Sequence, residues 1–549
     1  MKTDNVNLKK NDEIELSITA LSSEGSGIGH YKGLAVFVDS AAVGDTLKVH
    51  IIKVKSSYAV GKIVRIIKPS KHRIPPDCPV YDRCGGCSYR HISYEQELSV
   101  KRQRVEDALR RIGGLNISVD EIISQENVNG YRNKAQYPIG FDADGKTVIG
   151  FYARKSHRII DCRNCALQPP EFEAILNVIA RWAAESGVSF YDEEKHKGLL
   201  RHIYLRKGRT TKQTMVCLVI NGNNVPKKEK LIQALTETDE TVCSVVLNIN
   251  RNKTNVILGA ECITIYGSDF IEDELCGLRF RISPLSFYQV NPAGAELLYT
   301  KAAELAKLKK TDVLLDLYCG AGTIGLSMAD KVEKVIGAEI IEPAIENAKE
   351  NARLNGIENA EFFCSDAAEI SANLLEKGFK PTVIVLDPPR KGCSREMVET
   401  AVKLSPERIV YVSCDPATLA RDCKLFGELG YEAKKAVAVD MFPRTVHVET
   451  VVQLVRKKPD THIDFEIDLD EFDLTSAESK ATYQEIKDYV FDKFGLKVSS
   501  LYISQVKAKC GIIERDNYNK PKSENTKQPK CPKEKEEAIM DALRHFKMI

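Results

Sequence analysis

Apolar and polar positions alternate, between glycine-rich turns, over residues 7–70 (EIELSITALSSEGSGIGHYKGLAVFVDSAAVGDTLKVHIIKVKSSYAVGKIVRIIKPS). That period predicts a small β-barrel-like unit. From Tyr89 to Gly114 (YRHISYEQELSVKRQRVEDALRRIGG) the spacing becomes helical. Residues from about 171 to 280 read as α+β, with LLRHIYLRKGRT and QTMVCLVINGN as a hairpin. From Thr311 onward VLLDL, KVIGAE, AEFFC, TVIVLD and RIVYVSC are short apolar runs, each followed by a helical stretch. Strands apolar on both faces belong to a parallel sheet covered by helices. AVAVDMFPRTVHVETVVQLVR adds two β runs joined by a Met-Phe-Pro turn. Beyond residue 456, DFEIDLDEFDLTSAESK is acidic and poorly periodic, hence a linker. TYQEIKDYVFDKFG, SSLYISQVKAKCG and KEKEEAIMDALRHF follow as three amphipathic helices. The expected organisation is multidomain α/β, with units at 7–70, 71–280 and 281–456 and a helical extension at 457–549.

Composition changes this picture little. The 549 residues can bury several cores, and 43% hydrophobic with 28% charged residues describes an ordinary globular protein. A net charge of +2 names no partner, but its distribution does. From Thr46 to Pro76 there is no acidic residue, against Lys48, Lys53, Lys55, Lys62, Arg65, Lys68, Lys71 and Arg73. A single-sign strip on a small barrel is the footprint of a nucleic-acid binder. Arginines of the helical stretch and the basic, aromatic segment Tyr131 to Arg158 suit single-stranded RNA, where bases stack and phosphates need cations. The opening MKTDNVNLKKNDEIEL has no apolar core or cleavage signature, and no stretch holds 18 consecutive apolar residues. The expectation is a cytoplasmic protein with no signal peptide and no membrane span.

The chemistry gathers around TDVLLDLYCGAGTIGL, Thr311 to Leu326, which reads strand, glycine turn, helix start. Gly320 and Gly322 let the backbone approach a ligand, with helix N–H groups behind them. A second strand ends at Glu339, where a carboxylate can hold the two hydroxyls of a ribose. Gly320-x-Gly322-x-x-Gly325 also satisfies the dinucleotide spacing, so that pattern alone does not decide. Asp316, Glu339 and Asp387-Pro388-Pro389-Arg390 together look like an S-adenosylmethionine (SAM) site of a class I methyltransferase. Gln289 could bond the methionine end of that cofactor, and Asp366 could read its adenine.

Sixteen cysteines in an apparently cytoplasmic chain argue for metal or catalytic thiols rather than a disulfide framework. Cys78-x5-Cys84-Gly-Gly-Cys87 offers three ligands of one metal centre, and Cys162 and Cys165 both offer a fourth. Zinc also takes four thiolates but usually shows two symmetric C-x2-C pairs, whereas this spacing looks more like a [4Fe–4S] site.

Cys414 ends a sheet strand beside the cofactor site. Carbon 5 of uracil is too poor a nucleophile to take a methyl group from SAM, but a thiolate adding to carbon 6 makes carbon 5 electron-rich. A base must then remove the carbon 5 proton so that the thiolate can leave. This needs one low-pKa cysteine, one carboxylate and an acceptor to fix the uracil. Cys414, Glu449 and Asp387 fit those roles in order. Methylation of a base amino group also uses an acidic-Pro-Pro motif but needs no thiol. An RNA-binding protein whose iron–sulfur cluster senses redox state, with a vestigial methyltransferase fold, would need no SAM.

Over residues 7–455 the chain resembles the RumA/TrmA family of RNA (uracil-5-)-methyltransferases, and its first unit resembles a TRAM domain. Ser413-Cys414-Asp415-Pro416 resembles the nucleophile motif and Met441-Phe442-Pro443-Arg444 through Glu449-Thr450 the base motif, implying Cys414 and Glu449 as catalytic. Phe287-Tyr288-Gln289-Val290-Asn291, Asp316 to Gly320, Glu339 and Asp387 to Arg390 match cofactor and uracil positions, implying Gln289, Tyr318, Glu339 and Asp387 as SAM contacts. The same likeness implies a [4Fe–4S] cluster on Cys78, Cys84, Cys87 and Cys165, with Cys162 a bystander. It further implies an OB-like barrel, an iron–sulfur α+β central domain, a Rossmann-like methyltransferase domain, and a monomer acting on 23S rRNA rather than tRNA. Asp415 stands where many members have Asn, Thr323 where some have Asn, and the C-terminal helices lie outside the pattern.

Overall fold

Alternation along the first strands puts Leu16, Val36, Val38, Leu47, Val49 and Ile51 on one face, where they form a core of their own. Six strands between Glu13 and Lys68 curl around it in a single sheet. The computed structural model describes residues 8–377, 379–457, 482–510, 531–546 and 548–549. The acidic stretch DFEIDLDEFDLTSAESK lies outside them.

A seven-stranded sheet follows, and Leu200–Lys207 and Thr214–Ile220 form the expected hairpin at its middle. Helices Glu171–Glu185 and Lys228–Thr238 bury Phe172, Ile175, Ile179, Leu231 and Leu235 against it.

The third sheet carries the chemistry. Its strands run in the order Ala360–Cys364, Lys334–Glu339, Val313–Leu317, Val383–Leu386, Arg408–Ser413, Glu449–Arg456, Tyr431–Val439 and Glu121–Ile123. The first five are parallel, and Glu449–Arg456 is antiparallel to both of its neighbours. Val383–Leu386 and Arg408–Ser413 are buried at every position, as apolar runs under two helical layers should be. The helix Tyr94–Arg111 also packs on this sheet, sharing a core with Leu315, Tyr411 and Leu454 through Val105 and Leu109. With strand Glu121–Ile123 it ties the segment after the first cysteines to this sheet.

Residues 460–549 form a separate compact unit. Its helices Tyr483–Phe494, Ser500–Lys509 and Lys533–His545 close on Ile486, Val490, Ile503, Ile539 and Leu543. Thr482 and Glu485 make a reciprocal capping box at the first helix, and Gly495, at φ 67°, ends it.

Candidate active site

Glycine geometry shapes the cofactor edge. Tyr318, Gly320 and Gly322 have φ of 66°, 55° and 80°, so the chain doubles back directly after strand Val313–Leu317. For a tyrosine this is a strained conformation, of the kind that collects at functional sites. The turn aims the N-terminus of helix Thr323–Met328 at the sheet edge. Asp316 is fully buried below it, and its Oδ2 accepts the Gly325 N–H at 2.9 Å. A Cβ at Gly325 would stand 2.8 Å from that oxygen, so only glycine fits. Asp316 Oδ1 has no partner, and burial pushes this carboxyl up to about 7. Glu339 ends its strand with Oε1 bound to the Ile340 and Ile341 N–H groups at 2.9 and 3.1 Å. Asp366 caps the helix Ala367–Glu376 through the Ala368 N–H.

The next two strand ends carry reactive groups. Asp387 directly follows Val383–Leu386, and burial pushes it to about 7. Cys414 directly follows Arg408–Ser413. Asp415 then caps the helix Pro416–Glu428, accepting the Ala417 and Thr418 N–H groups at 2.8 and 3.2 Å. Aspartate thus serves this cap as asparagine would.

Antiparallel pairing of Ser413 with Thr450 brings Glu449 beside Cys414. Glu449 is 6% exposed. Burial first, then the neighbouring Asp387, push it up to about 8, while Arg390 opposes. The Cys414 thiol is pushed up to about 11 by burial and by Glu449. Arg390 works the other way, its positive charge favouring the thiolate. This corrects the expectation of a low-pKa cysteine: desolvation beside a carboxylate disfavours the thiolate, and a single guanidinium counters it.

Gln289 and Asp387 both act on the buried Tyr299 hydroxyl, which lies 3.1 Å from Thr323 Oγ1. Gln289 lies in the loop leading to Asn291, whose side chain caps helix Pro292–Ala306. Tyr318 lies near Cys393 and also feels Asp366 at the acidic edge. Cys393, Tyr411 and Asp422 form a buried network behind the Arg390 loop, in which Asp422 Oδ2 accepts from Tyr411 at 2.7 Å and from the Cys393 N–H at 2.8 Å. Sequence reasoning used the Asp-Pro-Pro-Arg motif for Asp387 and overlooked Arg390 as the thiol's partner. The signal was there, since a thiolate nucleophile needs a cation.

A separate cavity of about 270 Å³ is lined by Cys78, Cys84, Cys87, Cys162 and Cys165 together with Arg90, Arg132 and Lys134. No group of three or more His, Cys, Asp or Glu side chains among the described residues closes on a metal-ion position. A cubane spreads its thiolates over separate irons, further apart than the ligands of one ion, and carries net negative charge. Five thiols and three cations lining one cavity fit that donor set in kind. Cys162, expected as a bystander, also borders the cavity, its Sγ 3.9 Å from the Asn164 carbonyl.

Strands ending in a carboxylate at Glu339 and at Asp387, with a thiol between Asp387 and Glu449, line one edge of the sheet. Residues 93–457 match the tRNA (uracil-5-)-methyltransferase family, and residues 8–64 match the TRAM domain. The chain belongs to this methyltransferase family. It is 48% identical over 452 residues to a Clostridium tetani protein named an uncharacterized RNA methyltransferase, covering 82% of this chain and 98% of that protein. A Clostridium acetobutylicum protein of similar name is 45% identical over the same shares. Among solved structures, the Pyrococcus abyssi tRNA (uracil-54, C5)-methyltransferase with S-adenosyl-L-homocysteine matches with a TM-score of 0.66 at 30% identity, covering 80% of this chain and all of that one. The protein is therefore a SAM-dependent RNA (uracil-5-)-methyltransferase with an N-terminal TRAM domain. None of its described helices is long and apolar enough to cross a membrane.

Proposed function

We propose that this enzyme methylates carbon 5 of a specific uridine in 23S rRNA, with Cys414 as nucleophile and Glu449 as base. The observation that carries this reading is the adjacency of the Cys414 thiol and the Glu449 carboxyl on neighbouring strands, with Arg390 acting on both. Cys414 Sγ bonds to uracil carbon 6, and the ring double-bond electrons move out to form an enolate. Gln289, Tyr318, Glu339 and Asp387 would hold SAM, whose sulfonium would supply the methyl group to carbon 5 and leave as S-adenosylhomocysteine. Glu449 removes the carbon 5 proton. The electron pair of that C–H bond restores the ring double bond as the carbon–sulfur bond breaks, returning the thiolate. A carboxyl pushed up to about 8 is a stronger base than an ordinary glutamate, which suits this step.

Cys78, Cys84, Cys87 and Cys165 would hold a [4Fe–4S] cluster. Bound there, it would tie Cys165 to the distant loop that leads into helix Tyr94–Arg111, and would serve structure or RNA positioning rather than turnover. The TRAM domain together with these thiols favours 23S rRNA. A second reading, tRNA, is favoured by the substrate named for the Pyrococcus abyssi relative. The test uses anaerobically purified protein, labelled SAM, separate 23S rRNA and tRNA transcripts, and nucleoside mass spectrometry, with Cys414→Ala alongside. Label on 5-methyluridine of 23S rRNA, lost in the variant, is expected. Label on tRNA selects the second reading. Label that survives in Cys414→Ala overturns the thiolate mechanism.

A further inference from the structure

The segment Asp440–Val448, between strands Tyr431–Val439 and Glu449–Arg456, delivers Glu449 to the site. Its own backbone makes little regular structure. Instead, donors from outside take its carbonyls one after another. Gln125 Nε2 bonds Asp440 O at 2.7 Å, Asn291 Nδ2 bonds Met441 O at 2.7 Å, and Lys101 Nζ bonds Phe442 O at 3.1 Å. Tyr131 OH bonds Pro443 O at 3.0 Å, and the Ser88 and Tyr89 N–H groups bond Arg444 O at 2.9 and 3.1 Å. Arg104 reaches Val446 O at 2.8 Å. Arg444 itself sits at φ 69°, a conformation a non-glycine residue holds only under outside constraint.

A buried charge cluster lies beneath this strap. Lys101 is 1% exposed, and Glu97 and Asp440 are fully buried. Lys101 Nζ donates to Glu97 Oε1 and to Asp440 Oδ1, both at 2.7 Å. Glu97 Oε1 also accepts the Arg444 N–H at 2.7 Å, and Tyr94 OH donates to Asp440 Oδ2 at 2.8 Å. Every donor of the ammonium is used, and two of them grip the strap. A buried ion cluster adds little net stability over apolar packing, so its presence argues for a fixed geometry. The element that needs fixing here is the one presenting Glu449.

We propose that Lys101 is a positioning residue for the proton-removal step: with Glu97 and Asp440 it locks the Asp440–Val448 strap so that Glu449 faces the carbon 5 proton above Cys414. This rests on the reading of Glu449 as the base. A loosened strap leaves thiolate addition and methyl transfer intact but slows elimination. The methylated adduct between Cys414 and RNA then outlives the methyl transfer. A misplacement of about 1 Å costs on the order of a hundredfold in rate, so even partial loosening is measurable.

The test follows the RNA that wild-type enzyme labels, in single turnovers, on denaturing gels that display a covalent protein–RNA band. Glu449→Gln is the control. If it traps no adduct, the reading of the base has failed and the positioning role falls with it. The variant is Glu97→Gln, Lys101→Met, Asp440→Asn together, which removes the three charges around the ammonium; the Arg444 guanidinium, 3.6 Å from Glu97 Oε2 and 11% exposed, keeps its charge and its partial access to water. SAM binding by calorimetry reports its fold. Tyr94→Phe, which deletes one hydroxyl, is the second variant. With Glu449→Gln trapping adduct, the expected result is a persistent methylated adduct in both variants, methyl transfer within about twofold of wild type, and steady-state turnover lower by about tenfold or more. Wild-type turnover without adduct in the triple variant, with SAM binding retained, overturns the inference. If the triple variant loses SAM binding, the same result in Tyr94→Phe overturns it.

Discussion

Replacing Arg390 with alanine should make Cys414 a worse nucleophile. The thiol is already pushed up to about 11 by burial and by Glu449, and Arg390 opposes both through its charge. A value near 11 leaves on the order of one thiolate in several thousand at pH 7.5. Opposite charges about 4 Å apart near a protein surface attract by about 4 kcal/mol. Arg390 is exposed, so solvent screening reduces this, and about 1.4 kcal/mol corresponds to about tenfold less thiolate. The assay is iodoacetamide alkylation of the RNA-free enzyme from pH 7 to 11, read at the Cys414 peptide by mass spectrometry. Arg390→Ala should react about tenfold more slowly across the neutral range, with its profile displaced upward by about one pH unit. Glu449→Gln removes a neighbouring negative charge and should displace the profile downward. Superimposable profiles for wild type and Arg390→Ala would refute the argument that this guanidinium stabilises the thiolate.

Three further outcomes follow from the same structure. Asp316 is held at about 7 by burial, above its unfolded value, so its ionisation opposes folding increasingly as pH rises from about 4 to 7 and fully above that; Asp316→Asn should raise the melting temperature at pH 8.5 and change it little at pH 4. Lys53→Gln with Lys62→Gln, both exposed on the barrel, should weaken RNA binding and flatten the dependence of log K on log salt by about 0.7 per cation removed, with SAM affinity unchanged in a parallel titration. Cys165→Ser should lose iron and acid-labile sulfide from anaerobic protein, whereas Cys162→Ser should keep both; equal losses would make Cys162 a ligand.

The sequence by itself determined the fold class and most of the candidate site, because both depend on local pattern. Apolar runs such as Val383–Leu386 state their own burial, glycines at 320 and 322 state their own turn, and Asp316, Glu339, Asp387 and Cys414 fall at or just beyond strand ends wherever the strands are drawn. Only the tertiary structure decided the electrostatics. Whether Cys414 is acidic depends on desolvation and on Glu449, which lies 35 residues away in sequence and one strand away in space. The role of Lys101 was equally hidden, since on helix Tyr94–Arg111 it reads as one more surface cation. Its partner Asp440 is 339 residues distant. Periodicity reports which face of an element is buried, whereas the energy of a charge depends on everything that replaces its water, and that is set only when the domains close.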